Sequence, residues 1–341
     1  MNIIRPVAQA DIDALYLLAK RVSPGMTTFP PDKAVLEQKI TASEQAFTET
    51  GHGDNYLMVL ENTTSGKLLG TAGVYANIGI STPFYSFAAL TRTQQSYELD
   101  LRVSSQTLHL VNAYAGDTEV GTLILDPDTR GKGLGKLLAK SRYLLLAQFR
   151  QRFGDRVMAE LRGWSDENAI SPFWESVGKF FFKGLSYQQA DLLSATTNNQ
   201  FIADLMPTHP IYVDLLPQAV KNVIGKPHDL GTTALNMLYQ EGFRFENIVD
   251  IFDAGPTVHA KVEEIHTVSH SAEHTIGSIG KPLISAKRCL VCNTSISQFR
   301  ALEIVAGLDE NEEIVLANDD AEKLFVNAGD RIRIYPLGNV Q

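Results

Sequence analysis

The sequence predicts a mixed α/β (α+β) protein in which helices flank a mostly antiparallel sheet and a small β-rich module follows at the C-terminus. Short apolar runs rich in branched residues, separated by Gly, Asn and Asp turns, predict the strands. Apolar residues at helical spacing, as after residues 11 and 134, predict the flanking helices. The pattern changes after about residue 261. We therefore expect one domain over residues 1–260, with helical insertions, and the β-rich module over residues 261–341.

Composition limits the classes of function. The chain has 341 residues, 44% of them hydrophobic, and a formal net charge of -9. That charge argues against a general nucleic-acid binder. The N-terminal segment lacks the apolar core of a signal peptide, and no apolar run reaches membrane-spanning length. With only two cysteines, these features predict a cytoplasmic protein that binds neither nucleic acid nor membrane.

The N-terminal half reads as a strand, a helix and then paired strands. Residues 3–6 predict the first strand, and Asp11 is the expected cap of the helix that follows. Residues 56–61 and 67–80 predict a hairpin, and residues 107–114 and 120–125 predict a second antiparallel pair. These segments would supply most of the sheet. The Pro-rich loop Ser23–Pro31 is either an ordinary surface loop or a contact to the second substrate.

The central stretch, residues 119–150, combines a strand, a glycine-rich turn and a helix. An apolar run ends at Leu125 and is stopped by the turn from Asp126 to Asp128. Glycines alternate with other residues in the following segment, whose members are Arg130, Gly131, Lys132, Gly133, Leu134 and Gly135. Glycines permit close backbone approach to a ligand, and the free amides at a helix start attract phosphate. The turn therefore predicts a pyrophosphate-binding loop.

The second half of the chain continues the sheet and adds helices. Residues 156–162 predict a strand parallel to the central one, and residues 169–177 a helix. Helical patterns follow up to residue 240, and residues 211–215 and 248–253 are expected to complete a single sheet. Because residues 236–243 look like the end of a second copy, a degenerate duplication within residues 196–260 is the alternative.

Spacing narrows the type of phosphate loop. A Walker loop needs Ser or Thr after its lysine, but Leu137 follows Lys136. A Rossmann fingerprint needs a different glycine spacing near the start of a nucleotide domain. The pattern Arg-x-x-Gly-x-Gly, from Arg130 to Gly135, resembles the acyl-CoA loop of the GNAT acyltransferases. In that superfamily the preceding strand carries the pantetheine. A helix that merely starts after a glycine turn is the alternative reading.

Acyl transfer from a thioester to an amine needs an oxyanion donor and a proton for the departing thiolate. The backbone amide of Leu125 could supply the first. For the proton donor, His228 in the loop Gly225–Asp229 is the first candidate, with Tyr114 and Tyr239 as competitors. A helix-capping or exposed histidine is the structural alternative for His228. His109, on a strand with apolar neighbours, is expected to be a packed core residue.

A second constellation lies near the C-terminus. Cys289 and Cys292 form a CxxC pair, and His270 and His274 lie upstream, so a zinc site could be assembled from these four residues. A second CxxC is missing, and the cysteines fit an apolar strand. The reading we adopt is two thiols in the β-rich module with no bound metal.

Several stretches together resemble the arginine N-succinyltransferase family over nearly the whole length. Besides the segment around Leu125, they are residues 2–6, 22–30, 173–181, 209–213, 224–228 and 250–257. The resemblance implies transfer of succinyl from succinyl-CoA, as co-substrate and not as a permanent cofactor, to the α-amine of L-arginine in arginine catabolism. It implies that His228 is the proton donor and that Leu125 contacts succinyl-CoA.

Two other readings remain open at this point. A GNAT enzyme that acetylates another small amine would share every CoA feature. A non-enzymatic CoA-binding protein would bind CoA without forming product. The sequence leaves open which residues hold the guanidinium, although Glu160, Glu246 and Asp253 have the right charge. It also leaves the subunit count open, an oligomer being one outcome.

Overall fold

The computed structural model describes residues 1–22, 29–51, 53–281, 285–308 and 313–339. The strands in chain order are β1 (Asn2–Pro6), β2 (Asn55–Asn62), β3 (Lys67–Tyr75), β4 (Ser86–Ser96), β5 (Leu101–Val111), β6 (Thr118–Leu125), β7 (Arg156–Glu160), β8 (Ile211–Tyr212), β9 (Arg244–Val249), β10 (Pro256–Lys261), β11 (Ala272–Ile279), β12 (Ser285–Asn293), β13 (Ala301–Leu308), β14 (Ile314–Leu316) and β15 (Arg331–Asn339). The helices are α1 (Ile12–Arg21), α2 (Lys33–Ala46), α3 (Leu134–Gln148), α4 (Lys179–Phe181), α5 (Tyr187–Thr196), α6 (Gln200–Leu205), α7 (Gln218–Lys221), α8 (Thr232–Gln240), α9 (His266–Ser269) and α10 (Asn318–Leu324). The predicted mixed α/β class is confirmed.

The chain forms two compact units, each built from separate segments. The first unit comprises residues 1–76, 120–155 and 261–341, and the second comprises residues 77–119 and 156–260. The division at residue 260 expected from the sequence stays a prediction. In the described ranges, no helix has both the length and the apolar composition needed to cross a bilayer.

In the first unit, β1, β2 and β3 pair antiparallel in sequence order, and β6 lies beside β3. Helices α1 and α2 cover this part of the sheet. Their apolar faces, which include Leu15, Leu36 and Ile40, pack with Leu57 and Ile124 in one buried cluster. Burial of these periodic apolar positions gives the two helices their place.

Five further strands of the first unit form a closed ring. Strand β12 pairs with β13 and β15, β11 pairs with β14 and β15, and β13 pairs with β14. Only β11 and β14 run parallel within this ring. Closure removes the free edges that would otherwise invite association. Side chains from every strand fill its core, together with Leu324 of α10.

In the second unit the strand order is β7, β10, β9, β4, β5, β8. Strands β4 and β5 form a long antiparallel hairpin. The segment after β7 contains a π-helical turn at Trp174–Gly178, and a Cβ at Gly178 would lie 2.4 Å from the Trp174 ring. The absence of a side chain at Gly178 leaves room for the Trp174 ring, which stacks on Phe182 with 6.0 Å between ring centroids. These rings form the centre of the unit's core.

Some local predictions were wrong, and tertiary contacts explain why. Asp11 does not cap α1; its carboxylate accepts hydrogen bonds from the Arg5 guanidinium at 2.7 and 2.9 Å and from the Ala8 N–H at 2.8 Å. Strand β5 pairs with β4 and β8 instead of with β6. The strand expected over residues 248–253 ends at Val249, because Asp250 begins a tight turn closed by its N–H bonding to the Gly255 carbonyl.

Candidate functional site

The loop between β6 and α3 in the first unit has the conformation that its glycines predict. Gly131 and Gly133 have φ angles of 79° and 80°, in the left-handed region that residues with a Cβ avoid. Gly133 precedes the first residue of α3. The predicted order of strand, turn and helix is confirmed, and α3 is 15 residues long.

The loop faces open space with its amides free. Among the described residues, no acceptor lies within hydrogen-bond distance of the N–H groups of residues 131–135. A Cβ built on Gly131, Gly133 or Gly135 would meet no atom within 4 Å. Free amides at the start of a long helix, with space in front of them, are the requirements for holding a phosphate.

Positive charge surrounds this helix start. Arg130, Lys132 and Lys136 are exposed. No ion pair joins them to a carboxylate in the part of the chain that the structure describes. Because these charges are not neutralised within the protein, they remain available to an anionic ligand.

The turn before the loop is held by Asp126, which is 2% exposed. Its carboxylate pairs with Arg21 at 2.9 Å and Lys67 at 2.8 Å and accepts the Asp128 N–H at 3.1 Å. Burial alone would raise the pKa of Asp126, but the hydrogen bonds from Lys67 and the Asp128 N–H, with the nearby charges, lower it overall. A charged Asp126 therefore fixes the turn that presents the loop.

Leu125 ends β6 next to this turn. The Asp126 N–H bonds to the Leu69 carbonyl at 2.7 Å, and a Cβ at Gly70 would lie 2.5 Å from the Ile124 carbonyl oxygen. Glycine at position 70 is therefore what lets β3 approach β6 so closely. Earlier in β6, Thr122 has a φ of 49°, which interrupts the regular strand, and its hydroxyl is hydrogen-bonded to the Tyr75 hydroxyl.

His228 lies in the second unit, in a loop fixed to the chain segment that follows β7. Its N–H bonds to the Arg162 carbonyl at 2.8 Å, and Pro227 forms an isolated bridge with Gly163. Gly225, with φ 73°, packs against the ring of Phe245. The backbone around the half-buried His228 is therefore well fixed.

The imidazole of His228 has a defined hydrogen bond. Its Nδ1 accepts the Leu230 N–H at 3.2 Å and caps the short 3-10 helix Asp229–Gly231. The helix-capping alternative is thus part of the observed geometry. Because Nδ1 is an acceptor, a neutral ring carries its proton on Nε2. Capping and proton donation from Nε2 are compatible.

A group of buried and half-buried polar side chains surrounds Arg162 in the same unit. The Arg162 guanidinium donates to the Tyr187 hydroxyl at 2.6 Å and pairs with Asp191. The Tyr187 hydroxyl in turn donates to Asp253 Oδ2 at 2.8 Å, and the Gly255 N–H donates to Asp253 Oδ1 at 2.8 Å. Burial raises the pKa of Tyr187, and the charge of Asp253 adds to the effect.

Two further carboxyl groups in this region have raised pKa values. Burial raises the pKa of Glu160, and the negative charges of Asp250 and Glu119 raise it further. Burial also raises the pKa of Asp250, with a contribution from the charge of Asp253. The region therefore carries more acidic groups than Arg162 alone can balance.

The competing proton donors differ in their surroundings. Tyr114 is fully buried; its hydroxyl is 3.1 Å from Nδ1 of His259, and burial raises the pKa of Tyr114. Tyr239 on α8 is 45% exposed. His109 on β5 is half-buried, and its Nε2 is 3.0 Å from the Thr107 hydroxyl.

The residues weighed for zinc are dispersed. Cys289 and Cys292 are buried free thiols on β12, whereas His270 is stacked on His266 with ring centroids 4.0 Å apart. His274 lies on β11 opposite Ile332. Within the described ranges, no group of three or more His, Cys, Asp or Glu side chains is placed to hold a metal.

Comparison with known proteins identifies the family. The sequence profile described as the arginine N-succinyltransferase beta subunit matches residues 2–267, and the profile of that subunit's C-terminal domain matches residues 272–336. The chain belongs to the arginine N-succinyltransferase family. It is accordingly an acyltransferase.

Members of the arginine N-succinyltransferase family match the chain from end to end. The arginine N-succinyltransferase of Enterobacter sp. (strain 638) is 38% identical over 340 residues, covering 99% of this chain and 98% of that protein. The one from Escherichia coli (strain 55989 / EAEC) is 37% identical over 345 residues, with the same coverage. The solved structure of arginine/ornithine succinyltransferase subunit AI from Pseudomonas aeruginosa is 32% identical, with a TM-score of 0.86 and 99% of both chains covered.

Sequence reasoning missed part of the second unit's chemistry. The hydrogen bonds among Arg162, Tyr187, Asp191 and Asp253 join residues that are 25 to 66 positions apart. The available signal was an arginine at the end of a predicted strand, a position where a charge needs a partner if it is buried. The segment Ser23–Pro31, weighed as a substrate contact, lies mostly outside the described residues, because residues 23–28 are not described.

Proposed function

We propose that this chain transfers the succinyl group of succinyl-CoA to the α-amine of L-arginine, as a step of arginine catabolism. The observation that carries the proposal is the end-to-end match to the arginine N-succinyltransferase family, at 37–38% identity to curated members. The fold supports it independently, since the structure of the Pseudomonas aeruginosa subunit superposes over 99% of the chain.

The proposal assigns binding of the coenzyme to the first unit. The free amides of residues 131–135 would hold the pyrophosphate, and Arg130 and Lys132 would add positive charge. Succinyl-CoA is then a co-substrate that leaves as CoA, with no permanently bound cofactor. The resemblance of the Arg130–Gly135 motif to the GNAT acyl-CoA loop supports this assignment and a GNAT-like arrangement of the sheet. The C-terminal β-rich residues receive no part in the chemistry.

The transfer itself needs three groups. The neutral α-amine attacks the thioester carbonyl carbon, and the backbone N–H of Leu125 is proposed to stabilise the resulting oxyanion. The C–S bond then breaks, and the sulfur takes the proton from Nε2 of His228. In the same step Nε2 takes up the proton released by the attacking nitrogen, so the imidazole remains neutral. The hydrogen bond from the Leu230 N–H to Nδ1 supports His228 as the proton donor, because it keeps the ring proton on Nε2.

The setting of the reaction follows from composition. We place the reaction in the cytoplasm, because two free cysteines favour a reducing compartment. Partners are the two small-molecule substrates, and the net charge of -9 disfavours nucleic acid. An oligomer is proposed because the related Pseudomonas aeruginosa protein is described as a subunit.

Thiol release from succinyl-CoA, measured across a panel of amines, tests the proposal. Arginine should give the highest kcat/KM. The panel includes ornithine, because the related Pseudomonas aeruginosa protein is described as an arginine/ornithine succinyltransferase subunit. Acetyl-CoA with the same panel is the matched control. A preference for acetyl-CoA would favour the rival acetyltransferase, and CoA binding without thiol release would favour the non-enzymatic rival.

A further inference from the structure

The second unit contains a buried carboxylate oxygen with no partner. Oε2 of Glu160, at the end of β7, is shielded from solvent and has no hydrogen-bond donor among the described residues. The other buried side-chain atoms in this condition belong to Asn, Ser and Thr. A carboxylate costs far more than a neutral group to bury without a hydrogen bond, so this oxygen calls for a cationic donor that none of the described residues provides.

The neighbouring charges do not satisfy Glu160. Arg162 donates to Tyr187 and pairs with Asp191. Asp250 Oδ1 accepts the N–H groups of Phe252 and Asp253, each at 2.7 Å. The acidic groups around Glu160 raise its pKa, and the charge of Arg162, which lowers it, leaves Oε2 of Glu160 without a hydrogen bond.

The missing partner has the chemistry of an organic cation. Within the described chain no set of His, Cys, Asp and Glu is placed to hold a metal ion. A guanidinium suits the position, because it is weakly hydrated, always charged and carries several N–H donors that can reach neighbouring carboxylates at once. The raised pKa of Glu160 agrees with this, since a carboxyl without its cation favours the protonated form.

Glu160 lies close in the chain to the residue that holds the backbone of His228. The carbonyl that binds the His228 N–H belongs to Arg162, two residues beyond Glu160. The backbone at Gly163 packs against the turn that carries Asp253, since a Cβ on Gly163 would lie 2.3 Å from the Asp253 carbonyl oxygen. Glu160 and His228 thus lie on chain segments that are bonded to each other within the second unit.

We propose that Glu160, with Asp250 and Asp253 beside it, binds the guanidinium of the acceptor amino acid and so selects cationic acceptors. This deepens the proposed function and rests on it for the identity of the acceptor. Glu160 is then a specificity residue for the side chain, and it leaves the α-amine free for the chemistry.

Citrulline provides the test, because it matches arginine in shape but carries a neutral urea. The measured quantity is the ratio of kcat/KM for arginine to that for citrulline. Glu160→Gln should lower this ratio by about 10- to 100-fold, the value of a hydrogen bond to a charged group, through loss of arginine turnover alone. Glu98→Gln is the control: it removes the same charge from an exposed side chain of this unit, and the ratio should stay as in wild type.

Several results would overturn the inference. An unchanged ratio in Glu160→Gln, with both acceptors slowed equally, would place Glu160 at the α-amine or in the chemistry. A ratio that falls in Glu246→Gln but not in Glu160→Gln would assign the guanidinium to Glu246 and overturn the inference. Calorimetric binding of arginine and citrulline, without any CoA, keeps the question separate from catalysis: wild type should bind arginine more tightly, and Glu160→Gln should lose that preference even if no thiol release is ever detected.

Discussion

Replacing the glycines of the phosphate-binding loop should separate protein stability from coenzyme binding. Gly135 is the second residue of α3, its φ is not in the left-handed region, and a Cβ there meets nothing within 4 Å. Alanine is favoured over glycine in a helix by about 0.5–1 kcal/mol. Gly135→Ala should therefore raise the Tm of the free protein slightly, by about 1–3 °C.

The same methyl group should weaken CoA binding. It would occupy the open space in front of the amides, where the proposal puts the pyrophosphate. Loss of one hydrogen bond to a charged phosphate is worth about 1.5–3 kcal/mol, so the Kd for CoA should rise by about 10- to 100-fold. Isothermal titration calorimetry gives the Kd, and a thermal melt of the free protein gives the Tm.

A second pair of variants controls for backbone strain. Gly133 and Gly66 both have left-handed φ angles, 80° and 67°, and a Cβ on either meets nothing within 4 Å. Alanine should cost each site about 1–2 kcal/mol of stability. Only Gly133→Ala should also weaken CoA binding, because Gly66 lies in the β2–β3 turn. Wild-type Kd values in both Gly133→Ala and Gly135→Ala would refute the assignment of the pyrophosphate to this loop.

Three further outcomes are expected. His228→Ala should lower kcat by about 100-fold or more with little change in KM, because the departing thiolate loses its proton donor. His228→Gln keeps a side-chain acceptor for the Leu230 N–H, so it should lower kcat as much but preserve the Tm better. Full turnover in either variant, measured by thiol release, would reject His228 as the proton donor. Asp126→Asn should lower the Tm at pH 7. Because the folded state lowers the pKa of Asp126, its charge stabilises the protein above the unfolded-state pKa, and this stabilisation is lost as the pH falls through the folded-state pKa. The Tm values of wild type and variant should therefore converge from pH 7 to pH 3, and a constant difference would contradict this. Burial raises the pKa of Cys292 to about 12, so a thiol reagent at pH 8 should label it only after denaturant is added, and rapid labelling of the native protein would show that β12 opens.

Local sequence determined the parts of this protein whose contacts lie close together in the chain. The turn from Asp126 to Gly135 could be predicted because strand end, glycines and helix start are consecutive, and each residue type limits its own backbone. The hairpin of β2 and β3 was predicted for the same reason. Family resemblance added His228, whose pattern in the sequence alone did not distinguish a cap from a catalytic group.

Only the tertiary structure decided the rest, because long-range pairing depends on which surfaces meet after the chain has folded. Sequence indicated the strands near the C-terminus, but closure of the five-stranded ring depends on β12 meeting β13 and β15. Asp11 is a residue type that often caps helices, yet its carboxylate binds the charged guanidinium of Arg5 on β1, a stronger partner than the backbone N–H groups of α1. The unpartnered oxygen of Glu160 exists only because residues distant in sequence exclude water around it, and no periodicity or spacing records that exclusion.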